Sequence, residues 1–320
     1  MAMDERFKGM RLPVVAAPMF LVSGVDLVVE ACKAGIAGTF PALNQRTTEG
    51  FREWVIEIKE ALSQAREQGE GPVGPFGVNL IVHRSNPRVQ ADLEVCVEQE
   101  VPIVITSLGA VEDLVEAVHG YGGVVFHDVT TRRHAEKAAE AGVDGLILVS
   151  AGAGGHAGTL NPFGFLAEIK KFFDGTILMA GGLSTGRDVA AVQAMGADLA
   201  YMGTRFIATE ESQAQQAYKE MICESVAEDI IHTPAVSGVP ANFMEQSLED
   251  NGFDTEMLKQ PGEVDFGKKL SMDDEAKAWK TIWSAGHGVS AIEDVSSVAA
   301  LVEAIEEEYG QALEAVSRWR

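Results

Sequence analysis

Cysteine is scarce in this chain of 320 residues: Cys32, Cys96 and Cys223 stand far apart, and no CxxC pair occurs. An odd, dispersed set excludes a disulfide framework and a thiolate zinc site, and it suits a reducing cytoplasm. Positive charge is also thin, with 25 Lys and Arg against 48 Asp and Glu and a formal charge of -23. Such a surface repels nucleic-acid backbones and anionic membranes, so neither is expected as a partner. No apolar run approaches the roughly 18 residues that a spanning helix needs. The opening MAMDERFKGMRLP mixes charges where a secretory leader would be apolar.

What the chain does have is a series of short apolar segments rich in β-branched residues: PVVAAP, IAGTFP, FGVNLIV, PIVITS, GVVFHDV, GLILVS, TILMAGG and DLAYMGT. Continuous rather than alternating apolarity marks strands buried on both faces, as in a parallel sheet. Helical patterns separate them, from VDLVVEACKAG to SQAQQAYKEMI. Several close on Gly35, Gly142 or Gly196, the residue type expected just past a helix end. Eight strand–helix units before residue 225 suit a (β/α)8 TIM barrel, for which roughly 250 residues are usual. An open doubly wound sheet would call for GxGxxG after the first strand and an acidic residue ending the second. AAPMFLVSG and GTFPALNQ supply neither. From Ala227 to Gly288 the period breaks, with Pro234, Pro240 and Pro261 and no clear strand. Two domains are therefore expected. Residues 1–225 form the α/β barrel, and residues 226–320 form a mostly helical module over one mouth, whose terminal helix returns to the barrel.

In such a barrel, function gathers at the C-terminal ends of the strands. No strand end offers a His or carboxylate pair at ligand spacing, which argues against a metal-dependent hydrolase. After the last two strands, Gly181 and Gly182, then Gly203 and Thr204, leave backbone N–H groups uncovered beside a helix start. That is how a phosphate is cradled, although either pair alone would also serve as a tight turn. Strand one ends AAPM, where small residues and Pro18 admit a planar ring and the Met19 thioether either contacts that ring or packs the barrel end. Asn79 interrupts an apolar strand, and its amide needs a partner from a ligand or from a neighbouring strand. Most conspicuous is SAGAGGHAGTLNPF, from Ser150 to Phe163, where small residues surround the lone imidazole of His156.

AAPM, FGVNL, AGAGGHAG, AGGLSTGRD, GADLAYMGTRFIATEES and the late IWSAG occur in the order found in the nitronate monooxygenase family, formerly called 2-nitropropane dioxygenases, which this chain resembles over most of its length. The resemblance implies an FMN-dependent TIM barrel with a helical covering domain. It also implies oxidation of alkyl nitronates, and of some nitroalkanes, by dioxygen to carbonyl compounds and nitrite. By position, the implied FMN contacts are Asn79, Gly154, Gly182, Tyr201, Met202, Gly203 and Thr204. Pro18, Met19, Gly155, Gly181, Asp128 and Trp283 join them as expected lining of the cofactor site. The histidine of the family's GGH motif falls on His156, either as general base for the α-proton of a nitroalkane or as hydrogen-bonder to a nitronate. An imidazole suits the task because its ordinary pKa, near 6.5, lets it take a proton at neutral pH.

Two departures stand out. Asp128 replaces a lysine that helps to hold the flavin in some relatives, and LVSAGAGG lacks a glutamine that many members carry before the motif. Trp283 either roofs the site or packs, Arg205 either neutralises phosphate or forms a rim salt bridge, and His127 either faces the site or is structural. The rival within the flavin barrels is an NAD(P)H-dependent reductase acting on a quinone or an enoyl thioester. A non-catalytic FMN-binding protein and a phosphosugar barrel without flavin are the more distant alternatives. A homodimer stays open as the assembly.

Overall fold

The structure is a computed structural model that describes residues 4–69, 71–83, 85–109, 112–236, 238–259 and 280–318. Eight parallel strands close into a barrel: β1 (Val14–Ala16), β2 (Ala37–Pro41), β3 (Phe76–Ile81), β4 (Ile103–Ser107), β5 (Val124–Val129), β6 (Gly145–Val149), β8 (Thr176–Ala180) and β9 (Leu199–Met202). Each falls on one of the apolar segments, and β9 pairs back to β1 through Val15↔Tyr201. The TIM barrel expected from the sequence is the fold.

Helices α1 (Glu5–Lys8), α2 (Val25–Lys33), α3 (Thr48–Gln68), α4 (Val89–Glu98), α5 (Glu112–His119), α6 (Arg132–Glu140), α7 (Pro162–Ile169) and α8 (Gly186–Met195) precede or follow the strands. Their ends are legible in local chemistry. Thr47, Thr131 and Thr185 each accept a backbone N–H at an N-terminus. Gly35, Gly142 and Gly196 take positive φ just past α2, α6 and α8, where a side chain would be strained. Between the strands and helices lies one core layer, including Phe40, Phe51, Val78, Val104, Val125 and Leu146. A second layer fills the barrel itself, including Val15, Ile105, Phe126, Ile147 and Leu178. Phe7 of α1 stacks on Phe126 at 5.7 Å between ring centroids and joins Ile103, Val124 and Leu199 to close the N-terminal end. Fully burying one such ring contributes about 1.5–3 kcal/mol, and the plug leaves the opposite end as the mouth.

Beyond the barrel strands come α9 (Thr204–Ile207) and α10 (Gln216–Glu224), then β10 (Ile230–Thr233), β11 (Ala241–Met244), α11 (Glu245–Asp250) and α12 (Thr255–Lys259). The segment expected to lack strands thus contributes two. With β7 (Gly155–His156) they form a three-stranded antiparallel sheet in the order β10-β11-β7. IIHT and ANFM are too short to show a period; they pair with each other, and β11 takes the loop after β6 as its second partner. Pro261 lies outside the described residues.

The terminal helix α13 (Val298–Ser317) starts at the Ser297 cap and buries Val298, Leu301, Val302 and Ile305 in the outer core layer. It docks on α8 at Gly186, where an added Cβ would sit 2.0 Å from Ile305 O. The Gly186 N–H donates to Glu308 Oε2 at 2.7 Å. Among the described residues, no helix is long and apolar enough to cross a membrane.

Candidate active site

The alternation of side chains along each strand decides what faces the mouth. With Ile103, Ile105, Val124 and Phe126 inside the barrel, Ser107 and Asp128 continue the inner face. Val104, Val125 and Val129 face the helices, so Thr106 and His127 do too. His127 is 6% exposed, with Nδ1 2.7 Å from Thr106 Oγ1, and burial lowers its pKa to about 4. Its structural reading therefore holds.

On the inner face, Asn79 is 5% exposed and donates from Nδ2 to Ser107 Oγ at 2.7 Å. The Ser107 hydroxyl donates in turn to Asp128 Oδ2 at 2.5 Å. A hydrogen-bonded row thus crosses the ends of β3, β4 and β5. Asp128 as a residue keeps some exposure, but its Oδ1 is shut from solvent and meets no hydrogen-bond partner among the described residues. Desolvation pushes the Asp128 carboxyl up to about 6, while the Ser107 hydroxyl and His156 pull the other way. Burial, with a smaller contribution from the Asp128 charge, holds Tyr201 of β9 well above the ordinary phenol range.

The small-residue stretch after β6 folds back on itself. Ala151 N donates to Leu160 O at 2.9 Å, and Gly158 N donates to Val149 O at 3.2 Å. Gly152 and Gly155 take φ of 84° and 68°, which explains two of its glycines by backbone conformation alone. Gly155 and His156 pair with Asn242 and Ala241 of β11. Asn242, 2% exposed, fastens the loop by donating from Nδ2 to Ala153 O at 2.7 Å, while its Oδ1 lies 2.9 Å from His232 Nδ1. His156 is half-buried at the mouth, on a strand pair rather than a free loop.

The expected phosphate side is more crowded. The N–H groups leading into α8 already serve carboxylates: Ser184 N and Thr185 N donate to Asp188 Oδ2, and Gly186 N, the first of the helix, donates to Glu308. Gly182 N donates to Gly152 O at 3.1 Å, yet a Cβ on Gly182 would meet nothing within 4 Å. Beside it the Ser184 hydroxyl, 3% exposed, has no partner among the described residues. Thr204 Oγ1 accepts from Gly286 N at 2.9 Å, so the returning segment wedges against the ends of β6 and β9. A Cβ on Gly154 would stand 3.0 Å from both Thr204 Oγ1 and Gly286 N, so a side chain here would push its neighbours aside by a few tenths of an ångström.

Pro18 and Met19 are half-buried after β1, and Met19 packs with Trp283 and Ala285. Met202 is buried in the outer core layer, so only its backbone faces the mouth side. Trp283 stacks on Tyr218 at 5.0 Å and 7°, a packing partner within the protein. Arg205 donates to Asp294 Oδ1 at 3.1 Å, the salt bridge rather than a free cation.

Ser107 and Asn242 belong to no motif, and Ser184 stands inside AGGLSTGRD, where the two glycines before it carried the reading. A small polar residue ending PIVITS beside the Asp of FHDV was the available signal for Ser107. Asn242 gave none, because its role depends on a sheet formed across 87 positions, from Asn242 back to Gly155. The two unsatisfied oxygens, Asp128 Oδ1 and Ser184 Oγ, fit a ligand with a polar ring or hydroxyl edge at one side and an anionic group at the other.

The family model described as nitronate monooxygenase matches residues 4–308. A (3aS,4S,5R,7aS)-5-hydroxy-7a-methyl-1-oxo-octahydro-1H-indene-4-carboxyl-CoA dehydrogenase of Rhodococcus jostii is 28% identical across 76% of this chain and 67% of its own length. A nitronate monooxygenase of Paraburkholderia phytofirmans is 25% identical across 96% of this chain and 94% of its own. The solved nitroalkane oxidase from Streptomyces ansochromogenes shares the fold, with a TM-score of 0.79 at 24% identity over 96% of this chain and 98% of that one.

Proposed function

The chain belongs to the nitronate monooxygenase family of oxidoreductases, and from that premise we propose that it oxidises alkyl nitronates, and nitroalkanes, with dioxygen to a carbonyl compound and nitrite. The observation that carries this reading is His156, held on β7 by β11 at the mouth of the barrel and close enough to Asp128 to influence its ionisation. FMN would supply the electron-accepting chemistry when bound. The Ser184 hydroxyl and the open side of Gly182 suit its phosphate, with Gly203 and Thr204 beside them, and Asn79, Asp128 and Tyr201 suit its ribityl and ring edges. His156 takes the α-proton of a neutral nitroalkane or hydrogen-bonds a nitronate, and the packed glycines around Gly154 and Gly286 keep that approach narrow.

An absorption spectrum of the purified protein, followed by addition of a nitronate in air with nitrite measured, tests cofactor and reaction together. A colourless protein, or a yellow one that releases no nitrite, refutes the reading. His156→Asn should abolish turnover of the neutral nitroalkane, a loss of about 10²-fold or more, and spare much of the nitronate activity. Equal losses on both substrates would remove the base assignment.

A second reading, NAD(P)H-dependent reduction of a quinone or an enoyl thioester, is favoured by the Rhodococcus relative, whose name specifies a carboxyl-CoA substrate. Anaerobic mixing separates the two. Fast bleaching of the flavin by NADH supports the reductase, and bleaching by nitronate alone supports the oxidase.

A further inference from the structure

The row from Asn79 through Ser107 ends on a carboxylate oxygen that no described group satisfies. Buried polar atoms are nearly always partnered, so an unsatisfied carboxylate oxygen at a barrel mouth calls for an explanation in terms of function. The groups that face Asp128 come from three elements: Ser107 on β4, His156 on β7 and Tyr201 on β9. Ser107 is neutral, and Tyr201 stays a neutral phenol because burial disfavours its anion. His127, next in sequence, faces the helix layer with His134. His156 is therefore the facing group able to carry positive charge, and its charge favours the ionised form of Asp128.

We propose that Asp128 is a positioning and selectivity residue: clamped by Ser107 and Asn79, its carboxylate is the counter-charge to His156 during proton removal, and it biases the site toward neutral carbon acids over anions. The proposal rests on the nitronate and nitroalkane reading above. In the step itself the α C–H bond breaks, its electron pair moves into the nitro group to leave a nitronate, and the proton ends on the His156 imidazole. Asp128 gains no proton and remains a carboxylate. A carboxylate beside the imidazole attracts the positive charge that forms as the proton is taken, which is what a counter-charge contributes. A nitronate arriving ready-made needs no proton removed, and it meets the same carboxylate as a like charge. The clamp matters because Ser107 occupies Oδ2 and leaves Oδ1 as the open oxygen of the carboxylate.

The pairing is read first without turnover, by carbon-13 NMR titration of labelled aspartate carboxyls in the purified protein. Asp128 should titrate near 6 in the wild type and higher in both S107A and H156N, since each variant removes a group that favours the ionised form. An Asp128 carboxyl that titrates at the same pH in H156N overturns the pairing, whatever the activity. Selectivity is then read with nitroethane and ethyl nitronate as substrates. D128N should lower kcat/KM for nitroethane about 10- to 100-fold, flatten its acid limb near pH 6, and lower KM for ethyl nitronate. D128E should restore part of the nitroethane rate. Equal losses on both substrates in D128N, with an unchanged pH profile, overturn the selectivity role. A wild type that releases no nitrite from either substrate while the titrations shift together refutes the proposed activity and supports the pairing.

Discussion

Replacing Asn242 by Ala should cost more in activity than in stability. The Asn242 amide donates to Ala153 O at 2.7 Å and lies 2.9 Å from His232 Nδ1, whereas its backbone carries the pairing to Gly155 and survives the change. Deleting the side chain removes two hydrogen bonds worth about 1 kcal/mol each and leaves a buried carbonyl without its donor, at roughly 1–3 kcal/mol. The bond to His232 is only part-buried and contributes least, so the sum is about 2–4 kcal/mol. With an unfolding entropy of about 2.1 cal/mol/K per residue, a chain of this length should lose about 3–6 °C in Tm. The barrel does not depend on this bond, but the path of the chain into His156 does. A displacement of about 1 Å at a reacting group costs on the order of 10²-fold in rate. Thermal unfolding by circular dichroism and nitrite release at 25 °C should be measured on one preparation. A Tm drop of the stated size with kcat/KM unchanged within about twofold would refute the claim that Asn242 positions the histidine loop.

Two further outcomes follow from groups away from the mouth. His127 titrates near 4 in the folded protein and near 6.5 when unfolded, so the unfolded chain takes the proton first as pH falls. Stability present above about pH 6.5 is therefore lost down to about pH 4, by up to roughly 3 kcal/mol. H127Q should show a shallower decline in denaturant midpoint across that window, and identical slopes would sink the assignment. G186A places a Cβ 2.0 Å from Ile305 O and 2.4 Å from Tyr309 N, backbone atoms that cannot swing aside. It should destabilise by at least about 2 kcal/mol in urea unfolding, and an unchanged midpoint would contradict the close docking of α13 on α8.

The barrel was legible because its strands are buried on both faces, so segments such as GLILVS and TILMAGG carry their signal in composition alone. Helix ends were legible for a local reason as well, since Gly142 and Gly196 adopt the positive φ that other residues resist. The β7–β11 pairing was not, because Gly155 has no strand propensity and the pairing is imposed by a distant segment. Asp128 was visible as a departure from the family, but its clamp required knowing that Asn79, Ser107 and Asp128 reach one level of adjacent strands. Met202 shows the converse. The alternation along β9 turns its side chain into the helix layer, which leaves its backbone as the part that faces the mouth.

The antiparallel pairing of Gly155 and His156 with β11 divides the candidate site between two stretches of chain that are synthesised far apart. The eight strands can close before β11 exists, since none of their ladders uses it. A closed barrel is thus no guarantee of a competent one, and the histidine acquires its final backbone path only when the later segment docks. The same division constrains any redesign. Changes made in Ala241–Met244 will also move the strand that carries His156, so, if His156 is the base proposed above, access and reactivity will vary together.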